Sequence, residues 1–321
     1  MKVQEAAGKM TRPVTLRVYS TGACDRFETN LVNVARQIAG VASKVVEFEE
    51  TESPLLPGKP SISLAAGDVC NIHYLAAPEG PELDPFLDAL VWLSSAAVEP
   101  RSAAIESLGR LHEPVDLLAL IAPVCPHCPG LVCKVLSFAA AQPLVAVTVA
   151  DAVQFPDLAE KYRVRSTPTL IINGYGTLVG QVSEDRIVRL ILGGDDEFPL
   201  TPVFESMITA GRAEDAAVLL SQCDQPKAIL PVYTGPQFAV RVGALVTMEE
   251  ALDRDPRCLD PIVEDLCALL AHEEVALRGD TAQLLGKIGN PAALPSLERA
   301  VKDPDPEVRE AAEEAIAILK S

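Results

Sequence analysis

Val124-Cys125-Pro126-His127-Cys128-Pro129 (VCPHCP), answered downstream by Ser166-Thr167-Pro168-Thr169 (STPT), is the stretch on which the reading of this chain turns. Before it lies Val115 to Ile121 (VDLLALI), a short apolar run without helical period, which predicts a strand. After it, apolar residues at helical spacing predict a helix from about Pro126 to Ala141. A cysteine at that junction has its sulfur near unpaired N–H groups and the positive end of the helix dipole, which favour an anion. Cys125 is therefore expected to be partly thiolate at neutral pH. Pro126 suits the first turn, where its missing N–H costs nothing. Cys128 follows about 4.5 Å along the axis on nearly the same face, within the Cα separation that a disulfide tolerates. The two sulfurs could open and close a bond without moving the backbone. His127 lies inside that ring and is expected to influence the thiolate that leaves in exchange.

The Pro-His pair is shared with the periplasmic disulfide oxidase, a strong oxidant, but that enzyme carries a large helical insertion before its proline, so the likeness is limited to the four residues Cys125 to Cys128. The wider pattern resembles the thioredoxin superfamily. Its order is strand, Cys-x-x-Cys helix, strand (Pro143 to Val149), helix (Pro156 to Tyr162), Thr-Pro, strand (Thr169 to Asn173), turn, strand (Thr177 to Val182) and closing helix (Asp185 to Leu192). The resemblance implies that Pro168 is cis and faces the active pair, that Thr167 offers backbone groups to an incoming peptide, that Cys125 is the nucleophile and that Cys128 is the resolving thiol. Two departures matter. Val124 stands where thioredoxin has Trp, and Ala119 stands near the place of its buried Asp, so no proton acceptor for Cys128 is identified.

The first hundred residues read as a second, damaged copy. A strand at Val14 to Ser20 precedes Cys24-Asp25-Arg26-Phe27, where the active pair would be, and a helix from Glu28 to Ala39. A strand at Lys44 to Glu49, Gly58-Lys59-Pro60 at the place of the cis-proline, a strand at Ser61 to Ala65 and a helix at Pro85 to Leu93 complete it. Phe27 replaces the second cysteine, so this half should be redox-silent by the two-thiol route. Residues 1 to 12 read as a short helix or a loose arm. A silent first half followed by an active half resembles the archaeal-type protein disulfide oxidoreductases and the N-terminal domain of the alkyl hydroperoxide reductase flavoprotein subunit, over residues 10 to 196. The helix near Ala103 to Leu111 fits the same plan. No G-x-G-x-x-G fingerprint occurs, so a flavin or nicotinamide would reside on another protein.

Beyond residue 196 the pattern becomes helical. Val240-Arg241, Leu277-Arg278 and Val308-Arg309 each lie near the start of an Ala/Leu-rich helix, about 31 to 37 residues apart. This resembles short HEAT-type repeats, with Gly289 at a left-handed cap and Pro291 opening the next helix. Such repeats stack, each burying its apolar face on a neighbour. Helices at Thr201 to Ala210 and Ala213 to Ser221 are expected to cap the stack against the thioredoxin part. Glu307, Glu310, Glu313 and Glu314 lie off the apolar stripe of the final helix, as a solvated face or an acidic docking surface. The fold class expected is thus α/β, with two tandem thioredoxin-like units, 1–98 and 99–196, followed by an all-α HEAT-like domain, 197–321.

Composition fits this division, since 49% hydrophobic content in 321 residues excludes disorder. With a net charge of −18 and no cluster of Lys or Arg, nucleic acid is excluded as a partner class. No apolar run is long enough to span a membrane and no signal segment is read at the N-terminus, so a cytoplasmic location is expected. Eight cysteines there point to redox or metal chemistry. Cys133 lies about 12 Å along the helix from Cys125 and reads as a small buried apolar residue, as do Cys223, Cys258 and Cys267. Cys24 and Cys70 read as inert, as regulatory thiols or as a mutual disulfide. One Cys pair is half of a structural zinc site, and His73, His112 and His272 stand at no ligand spacing, so no metal and no cofactor are expected.

Two functions remain. In the first, the chain is a thiol–disulfide oxidoreductase acting on protein disulfides, re-reduced by an external flavoprotein or thioredoxin-reductase-like partner, with the repeats recruiting a protein partner; a peroxiredoxin is one client that the resemblance implies. In the second, the chain is an interaction scaffold whose thioredoxin part senses redox state. The direction of exchange stays open between reduction, oxidation and isomerisation.

Overall fold

The computed structural model describes residues 1–23, 25–51, 58–95, 97–98, 102–193 and 200–320. The chain forms two compact units, Met1–Gly194 and Asp195–Ser321.

The first unit is built on one eight-stranded sheet, in the order β2-β1-β3-β4-β6-β5-β7-β8. Its first half runs α1 (Lys2–Lys9), β1 (Val14–Tyr19), α2 (Arg26–Val41), β2 (Val46–Thr51), β3 (Ser61–Ala66), β4 (Val69–Leu75) and α3 (Leu83–Ser95). Its second half runs α4 (Ala103–Ser107), β5 (Val115–Ile121), α5 (Cys128–Ala141), β6 (Val145–Asp151), α6 (Pro156–Lys161), β7 (Thr169–Ile172), β8 (Gly176–Val179) and α7 (Glu184–Ile191). Each half places a parallel pair, β1/β2 or β5/β6, beside an antiparallel pair, β3/β4 or β7/β8. The same strand order therefore occurs twice, and the copies join where β4 pairs with β6 in parallel. The boundary expected at 98/99 falls within this unit, and the next one expected, at 196/197, lies outside the described residues. The helix near Ala103 is shorter than expected, ending at Ser107 and followed by a 3-10 turn, Leu108–Arg110.

Strand β4 is missing from the sequence reading. Its central residues, Asn71 and His73, break the apolar pattern, and each bonds to a partner on another element. The Asn71 amide donates to the carbonyls of Ala139 and Val145 at 2.9 and 2.8 Å, across the join, and His73 Nδ1 lies 2.7 Å from Ser63 Oγ on β3.

The second unit is helical throughout its described residues and carries its own core, in which Phe204, Tyr233, Met248, Leu266 and Leu285 are buried. Its α-helices among the described residues are α8 (Thr201–Thr209), α9 (Ala213–Gln222), α10 (Leu230–Tyr233), α11 (Phe238–Arg254), α12 (Val263–Leu269), α13 (Val275–Ile288), α14 (Leu294–Ala300) and α15 (Pro306–Lys320). Gly289 caps α13 in the left-handed region, at φ 71°. Gly286 lets α13 and α15 touch, because a Cβ there would meet the Cα and Cβ of Ala315 at 2.9 Å. The recurring arginines have a common task. Arg278 and Arg309 each donate to carbonyls five and six residues earlier, those of Glu273 and His272 and of Pro304 and Asp303. Arg278 also forks onto Asp303 at 2.8 and 2.9 Å, and Arg241 pairs with Glu274. The carbonyl contacts staple the turns before α13 and α15 to the helix that follows, and the two ion pairs tie α11 and α13 to the turns that precede α13 and α15. Glu307, Glu310, Glu313 and Glu314 are all exposed.

Candidate functional site: a dithiol pair at the end of β5

Cys125 and Cys128 form a disulfide, with their Cα atoms 5.5 Å apart. Helix α5 starts at Cys128, later than expected, and Pro126 lies in the preceding turn. The reason is Pro129. In a helix opening at Pro126 the first backbone bond would run from residue 129 to the carbonyl of Cys125, and proline has no N–H to give. Cys125 thus sits in the loop ahead of the helix, its N–H bonded to the Ala122 carbonyl at 3.1 Å. The two sulfur-bearing residues differ in access. Cys128 is fully buried, whereas Cys125 is half-exposed and its neighbour Val124 stands in solvent.

Thr167–Pro168 is a cis peptide, among the described residues the only one. Antiparallel pairing places Thr169 opposite Leu120, so Pro168 lies at the end of β5 from which the cysteine loop leaves. A residue unread in the sequence ties the two segments together. Gly180 donates to the Pro168 carbonyl at 2.8 Å, and the next residue, Gln181, reaches His127, with Nε2 2.7 Å from Nδ1. An amide nitrogen donates, so Nδ1 is the acceptor in this contact.

Ala119 is buried beside Leu170 and Val149 and offers no acid–base group. A carboxylate reaches this edge of the sheet from the other half. Strands β4, β6 and β5 are parallel, so the segment after Leu75 emerges at the same edge as the cysteine loop. It forms the 3-10 turn Gly80–Glu82, which packs against α5. Glu82 is 6% exposed, its Oε2 has no hydrogen-bond partner, and burial pushes its pKa up to about 7. The isolated Glu in a Pro/Gly-rich loop gave no periodic signal by which to find it.

The corresponding positions of the first half are built differently. Cys24 lies outside the described residues, and with it the question of a Cys24–Cys70 bond. Asp25 caps α2 by accepting from the Glu28 N–H at 2.7 Å. Glu28 is 3% exposed; burial alone would raise its pKa, but donors from Ser20, Thr21 and Gly22 outweigh that and hold it down to about 2. Phe27, where the second cysteine would be, meets Phe155 of the second half edge-on, at 5.4 Å between ring centres. Lys59, where Thr167 stands in the other copy, covers the same Phe155 ring at 4.9 Å and pairs with Asp157 at 2.7 Å. Lys59–Pro60 is not cis.

Among the described residues the remaining thiols are free and half-buried, and burial raises Cys70, Cys133, Cys223, Cys258 and Cys267 above the ordinary thiol range. Cys133 is thus less enclosed than expected, because its face of α5 is only partly covered. Among the described residues no three His, Cys, Asp or Glu side chains are grouped to hold a metal ion, and no helix is long and apolar enough to cross a membrane.

A thioredoxin from Methanocaldococcus jannaschii is 31% identical over 78 residues, which is 92% of that protein and 24% of this chain. The chain belongs to the thioredoxin family. The thioredoxin-domain model matches residues 117–192, and the HEAT-repeat model matches residues 226–321. Two solved structures share the fold of the tandem unit. One is the NTD_N/C domain of alkylhydroperoxide reductase AhpF from Enterococcus faecalis, with TM-score 0.53 and 21% identity over 59% of this chain and 96% of that one. The other is a protein disulfide oxidoreductase from Aeropyrum pernix, with TM-score 0.51 and 24% identity over 59% of this chain and 89% of that one. Thioredoxin-family membership and the Cys125–Cys128 bond together support a redox role.

Proposed function

We propose that the chain is a thiol–disulfide oxidoreductase that acts on protein disulfides through a Cys125/Cys128 dithiol cycle. The observation that carries this reading is the pairing of a half-exposed cysteine with a fully buried one, in a disulfide beside a cis Thr-Pro. The Cys125 thiolate attacks one sulfur of a client disulfide, so that a mixed disulfide forms and the other client sulfur leaves as thiolate to take a proton. Cys128 then loses its proton and attacks Cys125, closing the intramolecular bond and releasing the second client thiol. Two electrons pass from the pair to the client, and an external flavoprotein or thioredoxin-reductase-like partner returns them.

Pro126 and His127 tune the leaving thiolate, and Gln181 orients the imidazole. Thr167 and Pro168 receive the client backbone. Glu82, raised into the neutral range, is the acceptor assigned to the Cys128 proton. Residues 1–98 act as a redox-silent unit, 99–196 as the active unit and 197–321 as the recruiting domain, in a cytoplasmic protein.

The test is a trap. Cys128→Ser leaves Cys125 able to attack but unable to be released, so a client should accumulate as a mixed disulfide. A yield no greater than that of the Cys125/Cys128 double variant would remove exchange chemistry. Partner binding that changes on oxidation, without turnover of a generic protein disulfide, would favour the redox-sensing scaffold.

A further inference from the structure

Helix α11 carries a face that its own unit covers only in part. Phe238, Val242 and Val246 recur at the i, i+4, i+8 spacing that places them on one stripe, and they are 68%, 41% and 37% exposed. Continued along the same stripe, the next two turns bring Glu249, Glu250 and Asp253. These line an open cleft of about 600 Å³ together with Val246 and Lys287 of α13. Lys287 is already engaged, by Glu249 at 2.5 Å. Glu250 Oε2 is out of solvent with no hydrogen-bond partner, and Asp253 stands exposed. The stripe is therefore apolar over its first half and anionic over its second, ending in a cleft wide enough for a long side chain.

We infer that this face of α11 docks an amphipathic helix of a partner protein, with apolar side chains on Phe238, Val242 and Val246 and a Lys or Arg in the cleft against Glu250 and Asp253. The inference deepens the recruiting role proposed for the repeats and rests on it. Charge complementarity selects the occupant. An acidic helix would bring like charge into a site whose single cation is neutralised, while a basic side chain would pair with the exposed carboxylate of Asp253 in the field of Glu250. The apolar contacts would supply affinity by burial, and the charges would set polarity and register.

The test uses the full chain and a synthetic helical peptide with Leu at three successive i, i+4 positions and Lys one turn beyond, followed by fluorescence anisotropy. Binding should weaken about tenfold or more with Val242→Asp, at an exposed position, and again with the isosteric pair Glu250→Gln/Asp253→Asn, each variant being checked for unchanged helical circular dichroism. The same peptide with Glu in place of Lys should bind no better than the charge variant of the protein does. No binding to the wild-type chain, equal binding of the Lys and Glu peptides, or insensitivity to both variants would overturn the assignment. A wild-type dimer that Val242→Asp dissociates would give the face to a second copy, and also overturns it. Turnover of a small aromatic disulfide, measured in parallel, should be unchanged in all variants. Its absence in the wild type would count against the redox reading while leaving the peptide result standing.

Discussion

The two halves of the first unit have the same strand order and opposite treatments of the same loop. In the second half the loop after β5 presents Cys125 beside a buried Cys128, tied to the cis-proline segment through Gln181. In the first half the loop after β1 is locked by Glu28, which accepts from Ser20 Oγ and from the Thr21 N–H and Oγ1 at 2.6, 2.5 and 2.9 Å. Phe27 and Lys59, at the places of Cys128 and Thr167, converge on Phe155 instead. The lesson is that the damaged copy has been reused rather than merely silenced. Positions proposed to carry chemistry in the second half hold the two halves together in the first, and the first half returns Glu82 to the edge at which the cysteine loop lies.

That contrast can be broken at three places. The largest effect should come from Phe155→Ala, which removes the ring that both Phe27 and Lys59 contact and leaves a cavity. About 3 kcal/mol of stability should be lost in chemical denaturation, whereas a loss within experimental error would mean that the join does not depend on this cluster.

Glu28→Gln should cost about 2 kcal/mol at neutral pH, since an amide cannot accept from all the donors that converge there. The sign with pH follows from the depressed value. Stabilisation by the carboxylate is fully present above its ordinary pKa of 4.5 and lost as pH falls towards about 2. Wild type and variant should therefore converge in acid, and a gap independent of pH would contradict the charge-based lock.

Glu82→Gln should have the smallest and opposite effect. With its pKa raised to about 7, the buried carboxyl favours the folded state least once ionised, so wild-type stability should fall as pH rises from about 4.5 through 7. The variant should lack that slope and be more stable by about 1 kcal/mol at pH 8, the buried amide's own desolvation offsetting much of the roughly 3 kcal/mol that the shift represents. Resolution of the mixed disulfide should slow in the same variant, and an unchanged rate would remove Glu82 from proton transfer.

Much of this was legible in the chain itself. The Cys-x-x-Cys after an apolar run, the Thr-Pro before another, and the recurring Val/Leu-Arg pairs identify both architectures, because each is a local pattern with a local cause. What escaped depends on residues far apart. Strand β4 is disguised by Asn71 and His73, whose partners lie on other elements. Phe27 reads as a loss, because its ring partner Phe155 is distant in sequence. Glu82 acquires its raised pKa only when the 3-10 turn is buried against α5. The late start of α5 was readable, since Pro129 forbids the first bond of a longer helix, but the proline at 126 drew the boundary forward.

The most direct test of the central claim is to expose the reduced Cys128→Ser and Cys125→Ser proteins to oxidised glutathione and map adducts by mass spectrometry over time. Attack by the accessible thiol predicts one glutathione on Cys125 in the first protein and little on the buried Cys128 in the second. Equal rates in the two proteins, or no adduct on Cys125, would contradict it.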